Sequence, residues 1–157
     1  MLFVQFTLGS DRYLLDSAQI ERMLPLAPLK ALPGAPEWVA GLFDYEDAPV
    51  PVPVIDVAAL ALGRASRERL STRLALVAYK RDGAHDSTTH RLGLVLEQAT
   101  RTVKLDTAAF ADAGIDTPHA RYLGPVARDE AGLLQWVRME HLLPLDVQAL
   151  LFAESTS

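Results

Sequence analysis

Leu2, Val4, Phe6 and Leu8 alternate with Phe3, Gln5 and Thr7, and this period of two predicts a half-buried strand. Gly9-Ser10-Asp11 is turn chemistry, so Tyr13-Leu14-Leu15 is expected to return as the second strand of a hairpin. Asp16 or Ser17 can cap a short helical turn, along which Ile20, Met23 and Leu24 recur at helical spacing. Residues 54–62 run from a strand into a short helix that Gly63 ends. Residues 74–79 form a strand that is apolar on both faces, and the polar run RDGAHDSTTH makes a long hairpin tip before residues 92–96 return. A further short strand is expected at 102–105, a helical segment at 107–113, extended segments at 122–127 and 133–137, and a helical segment at 139–143. Val147, Leu150 and Leu151 give an amphipathic helix at about 146–152. Many short strands between turn signals suggest small β-barrels. The two apolar hairpins, at 2–15 and 73–96, are a faint echo of each other.

Prolines punctuate this pattern. Pro25, Pro28, Pro33 and Pro36 make residues 25–36 an extended connector. Pro36 can open a helical turn that Gly41 closes. In GLFDYEDAPVPVPVIDV, prolines 49, 51 and 53 alternate with valines 50, 52 and 54. Backbone N–H groups of a strand point alternately to its two edges, so this spacing removes donors from one edge only. A protected edge strand is the expectation. A polyproline-II ligand is the weaker alternative, because the spacing is P-x-P-x-P rather than P-x-x-P. The polar segment 64–72 (RASRERLST) is the expected junction between two subdomains of a single domain spanning 1–157.

Composition narrows the chemistry. Half of the 157 residues are hydrophobic and 22% are charged, which suits a chain with a real core. A net charge of −5 leaves no basic footprint for nucleic acid or anionic lipid. The absence of cysteine excludes disulfides, thiolate metal sites and cysteine nucleophiles. No apolar run reaches the ~18 residues of a membrane span, and the alternating N-terminus does not resemble a signal peptide. A cytoplasmic protein is the expectation.

No catalytic constellation emerges. His85 and His90 share a polar loop with Asp82 and Asp86, but a metal site needs ligands converging on a rigid frame. Asp44, Glu46 and Asp47 could do acid–base work only if one of them were buried. G-x-S-x-G, H-E-x-x-H and glycine-rich phosphate loops are all missing. Neither a cofactor nor a metal is expected. Trp38 and Trp136 are expected as core residues or half-buried anchors, and Trp is also favoured at interfaces.

The ordered segments carry more than any one motif. FVQFTLGSDRYLLD, IERMLPLAPLKALPGAPEWVAGL and PVPVIDVAALALG together resemble the first half of a CheW-type chemotaxis coupling domain. TRLALVAYKRDG, RLGLVLEQATRTVKL and RYLGPVARDEAGLLQWVRMEHLL resemble its second half, so the likeness covers residues 2 to about 145. It implies a mainly β fold of two intertwined five-stranded SH3-like barrels with short helices. It also implies a non-enzymatic adaptor between the cytoplasmic tips of methyl-accepting chemoreceptors and the regulatory domain of a CheA-type histidine kinase. By motif position, Glu21, Gly41, Tyr45, Glu46, Asp47 and Gly93 are the interface candidates the resemblance implies. For the glycines, turn or bulge geometry alone is the competing explanation; for Glu21 it is a solvated helix face.

One departure stands out. The family's N-L-R-G is Asp44-Tyr45-Glu46-Asp47 here, so a glutamate stands where the family carries an arginine. Either two residues are inserted before Pro53, or Pro51 is the family's proline. A paired arginine cannot become glutamate without a change of partner, which points to an adaptor for a specialised pathway such as a Wsp-like surface-sensing array. The alternative function is a stand-alone small-molecule-sensing β-barrel with its ligand in the groove between subdomains.

Overall fold

The computed structural model describes residues 1–46, 48–80, 89–112 and 120–152. The expected first hairpin is β1 (Leu2–Leu8) and β2 (Asp11–Asp16). There follow β3 (Ile20–Pro25), β4 (Val39–Phe43), β5 (Val52–Asp56), α1 (Val57–Leu62), β6 (Arg73–Lys80), β7 (Thr89–Lys104), β8 (Leu123–Asp129), β9 (Gly132–Val137) and α2 (Leu145–Leu151). α1 stops at Gly63 as expected, and Asp56 sets its start. The Asp56 carboxylate accepts from the Ala59 amide at 3.2 Å, and Gly63 closes the helix in the left-handed conformation with φ 73°.

The strands form two five-stranded barrels that share β7. One has the order β7–β1–β2–β9–β8, with β2 and β9 parallel. The other contains β3–β6–β7, with β5 parallel to β7 and antiparallel to β4. β6 pairs with residues 89–96 of β7, whereas β1 pairs with residues 97–104. Gln98, at φ 50°, lies at the start of the second stretch, where the register with β1 shifts. A left-handed backbone costs a non-glycine residue about 1–2 kcal/mol, so the surrounding pairing holds this residue where β7 changes partners.

The echo between the halves becomes a reciprocal exchange. Each half supplies a hairpin, a crossing strand and a second hairpin. β3 leaves the β1–β2 hairpin to pair with β6, and the end of β7 leaves the β6–β7 hairpin to pair with β1. β5 then lies against β7, and β9 against β2. Strand faces follow from this. Phe3, Leu14 and Leu134 fill one barrel, and Val54, Leu74 and Val95 fill the other. The alternate residues Val4, Phe6, Leu8, Ala75, Val77 and Tyr79 turn to a common core between them. β1 and β6 each have a face toward their own barrel and one toward the shared core, which explains apolar residues on both faces of 74–79.

Five expectations change. Ile20, Met23 and Leu24 lie in a strand, after a single 3-10 turn at Ser17–Gln19 capped by Asp16. Pairing with β6 overrides their helical spacing, and Pro25 disfavours helix at the residue before it. Segments 92–96 and 102–105 are one 16-residue strand, because its polar middle is a change of partner and not a break. The proline run is not an edge strand: Pro49 and Pro51 precede β5, and beyond Pro53 the strand pairs on both sides. Pro53 faces β4 alone, and pairing with β7 begins at Val54, so the prolines mark where the second ladder starts. The turn after Pro36 yields to β4 at Val39, after the Val39 amide donates to the Pro36 carbonyl at 2.9 Å. Of the segment 107–113, Thr107–Ala109 is a 3-10 turn; residue 113 and the hairpin tip 81–88 lie outside the described residues.

Candidate protein-interaction surface

Glu21 sits at an irregularity of β3. Ile20 pairs with Val77 and Arg22 with Leu76, so Glu21 is the extra residue of a bulge, the kind of feature that re-aims a side chain. Its carboxylate accepts from Arg91 of β7 twice, from Nε at 3.0 Å and from an Nη at 3.1 Å. The residue of β6 paired with Arg91 is Ala78, exposed and small, so the two long side chains can meet across it. The next residue, Arg22, donates to the Tyr45 hydroxyl at 2.7 Å. The Tyr45 ring stacks on Phe43 with centroids 5.9 Å apart, and the Arg91 guanidinium carbon lies 5.9 Å from the Tyr45 centroid.

The result is a partly exposed aromatic ring between two arginines, one of them clamped by a carboxylate. Fork-like guanidinium contacts and a partly exposed tyrosine are the chemistry of recognition surfaces. Both ion-pair partners remain about a third exposed or more, at 34% and 40%, so the pair organises the surface more than it stabilises the fold.

The structure thus brings Glu21 and Tyr45 together through Arg22 and Arg91, two residues the sequence reading did not single out. Arg22 at least adjoins Glu21, but nothing local marks Arg91, which is 70 positions away from its partner. Glu46 follows Tyr45 and is exposed, as is Asp44, while Asp47 lies outside the described residues. The glycines are elsewhere in character. Gly41 has φ 142°, and a Cβ there would lie 2.4 Å from the Lys30 carbonyl oxygen. Lys30 and Leu42 exchange two backbone hydrogen bonds, of 2.9 and 2.8 Å, across that close approach. At Gly93 a Cβ would meet Val54 at 2.8 Å and Leu74 at 3.1 Å. Gly41 thus packs against backbone, and Gly93 against the side chains of Val54 and Leu74.

The two described histidines stand apart from each other. His90 stacks on Phe152 at 4.5 Å, His141 lies 3.4 Å from Arg121, and His85 and His119 are outside the described residues. Among the described residues no group of three His, Cys, Asp or Glu side chains could hold a metal ion. Among the same residues, no helix is long and apolar enough to cross a membrane.

The profile of the CheW-like domain matches residues 2–151, which takes in all nine strands described above. The chain belongs to the CheW-like domain family. Among solved structures, the crystal structure of scaffolding protein TtCheW from Thermoanaerobacter tengcongensis superposes with a TM-score of 0.75. The match covers 91% of this chain and 87% of that one, at 14% identity. At that identity the likeness is one of fold, and it agrees with the pair of SH3-like barrels. No curated protein sequence matches the chain significantly. As a CheW-like domain, the chain places Glu21, Arg22, Tyr45 and Arg91 on the barrel built from β3, β4, β5, β6 and the first half of β7.

Proposed function

We propose that the protein is a non-catalytic cytoplasmic adaptor that couples the tips of methyl-accepting chemoreceptors to the regulatory domain of a CheA-type histidine kinase. The observation that carries this reading is the family match across both barrels, from residue 2 to residue 151. The Glu21–Arg91–Tyr45–Arg22 array supports it by offering a preorganised recognition surface around Glu21 and Tyr45, two positions the family resemblance selects.

The pathway is a specialised one, of the surface-sensing kind. Glu46 is exposed beside that array, where the family pattern carries an arginine. A partner meeting this position meets a carboxylate, so the complementary residue is a cation rather than an anion.

Titration against the regulatory domain of a CheA-type kinase from the same organism tests the proposal. Saturable binding of about micromolar affinity is expected for an interface of modest area. Tyr45→Ala is expected to weaken it by about tenfold or more, as for a buried aromatic anchor. Absence of binding to every such kinase overturns the coupling function and leaves the fold untouched. Glu46→Arg addresses the pathway separately: unchanged receptor binding in that variant removes the argument for a specialised partner.

A further inference from the structure

The connector between α1 and β6 is polar yet firmly tied down. The Asp56 carboxylate accepts from the Ser66 amide at 2.8 Å and from the Ser66 hydroxyl at 2.5 Å. The buried Thr72 hydroxyl donates to the Arg67 carbonyl at 2.5 Å and accepts from the Arg69 amide at 3.3 Å. Ala99 of β7 donates to the Ser71 carbonyl at 3.0 Å. These anchors hold one wall of a cleft of about 290 Å³. The other walls are the turn between β1 and β2, with Thr7, Gly9 and Ser10, and the point where β7 changes barrels, at Glu97 and Gln98.

Charge is distributed unevenly in that cleft. Arg64, Arg67 and Arg69 all line it, in a protein whose net charge is −5. Among the described residues, Glu97 is the only acidic one in the lining, and it is engaged: Arg64 donates to it at 2.6 Å. With that pair neutral, Arg67 and Arg69 leave two positive charges among the residues that line the space. Thr7, Ser10 and Ser71 line it as well. Guanidinium groups with hydroxyl neighbours match an oxyanion with several acceptor oxygens and a charge near −2. The space, equal to about ten waters at the ~30 Å³ each occupies in the liquid, holds a phosphoryl group with a small polar body attached.

We infer that this cleft is a binding site for a phosphoryl group, carried by a small phosphate ester or by free phosphate, held by Arg67 and Arg69 against the hydroxyls of Thr7, Ser10 and Ser71. It lies apart from Tyr45 and Glu21, and it does not depend on the adaptor reading. Because its walls come from the β1–β2 turn, the connector and the crossing point of β7, an occupant would tie the two barrels together at their junction.

The test uses the whole chain, with inorganic phosphate, ribose 5-phosphate and ribose as probes. Binding is read by calorimetry and by amide shifts at Gly9, Ser71, Thr72 and Gln98. Both phosphate probes are expected to bind saturably, and ribose is not. Arg67→Gln and Arg69→Gln are each expected to weaken binding by about tenfold, the scale of a hydrogen bond to a charged group. Both arginines are exposed, so the variants are expected to keep the wild-type melting temperature. Tighter binding of ribose 5-phosphate identifies an ester as the occupant, and equal binding of the two identifies free phosphate. No saturable binding below about 10 mM, or about −3 kcal/mol in affinity, overturns the site. So does binding that survives the double substitution, or amide shifts that arise elsewhere.

Discussion

Arg12 of β2 reaches across to Asp129 at the end of β8, with its two terminal nitrogens 2.8 and 2.5 Å from the two carboxylate oxygens. That fork, together with the Ala131 amide 2.9 Å away, holds the Asp129 carboxyl at a pKa of about 2, below the ordinary 3.8. A folded-state value below the unfolded one means that the ionised form favours folding. The contribution is fully present above pH 3.8 and is lost as pH falls through about 2. Asp129→Asn is therefore expected to lower stability at neutral pH and to leave it unchanged below about pH 2, where the wild-type carboxyl is protonated as well. Chemical denaturation of both proteins across that range checks the sign. An NMR titration of Arg12→Gln should show the Asp129 pKa moving up toward 3.8. The glycines make a second residue-scale case. Gly41→Ala drives a Cβ against the Lys30 carbonyl at a backbone angle that side chains rarely adopt, and is expected to cost more than about 1 kcal/mol. Gly93→Ala presses instead on the flexible ends of Val54 and Leu74, so an overpacking cost of about 1–3 kcal/mol is expected from urea midpoints.

Among the elements, α1 shows how one carboxylate can serve two of them. Asp56 caps the helix and also takes both hydrogen bonds from Ser66 in the connector that follows. A cap alone contributes about 1 kcal/mol, so Asp56→Ala is expected to cost more than that, and to speed hydrogen exchange at the Ser66 amide. Cap loss without faster exchange would show that the connector is held by Thr72 and Ser71 instead. The same element was readable in the sequence, because an aspartate, a short apolar run and a glycine are local signals. So were β1, from its period of two, β2, from the turn before it, and β6, from its apolar run, all of them local signals. β3 was not, because three apolar residues at helical spacing face β6 only once a strand 50 residues later is in place. Nor was the continuity of β7, since Glu97 and Gln98 look like a break unless the change of partner is known. The candidate surface divides in the same way. Glu21 and Tyr45 came from the order of family-like segments, whereas Arg22 and Arg91 become visible only when the bulge in β3 and the register of β7 are in hand.

At the scale of the molecule, the exchange of strands between halves decides how it unfolds. Neither barrel is a contiguous piece of chain: one takes β1 and β2 from the first half and β8 and β9 from the second, while β7 runs through both. The largest core cluster also spans them, joining Val4, Phe6 and Leu8 to Val77, Tyr79 and Leu94. Opening either barrel strips β7 of half its pairing and exposes that shared core, so an intermediate with one barrel intact is disfavoured. The two tryptophans report on different places: Trp136 on the interior of one barrel, and Trp38 on the shared core. Trp136 packs in β9 with Phe3 and Phe110, at 5.1 and 5.3 Å between ring centroids, and Trp38 precedes β4 in the other barrel. Trp38→Phe and Trp136→Phe leave one reporter each, and their urea transitions are expected to coincide with far-UV circular dichroism. Adding Gly93→Ala, whose strain lies wholly in the second barrel, is expected to shift the Trp136 transition as far as the Trp38 one. If Trp136 holds its midpoint while Trp38 moves, the barrels unfold independently, and the shared strand couples their geometry without coupling their stability.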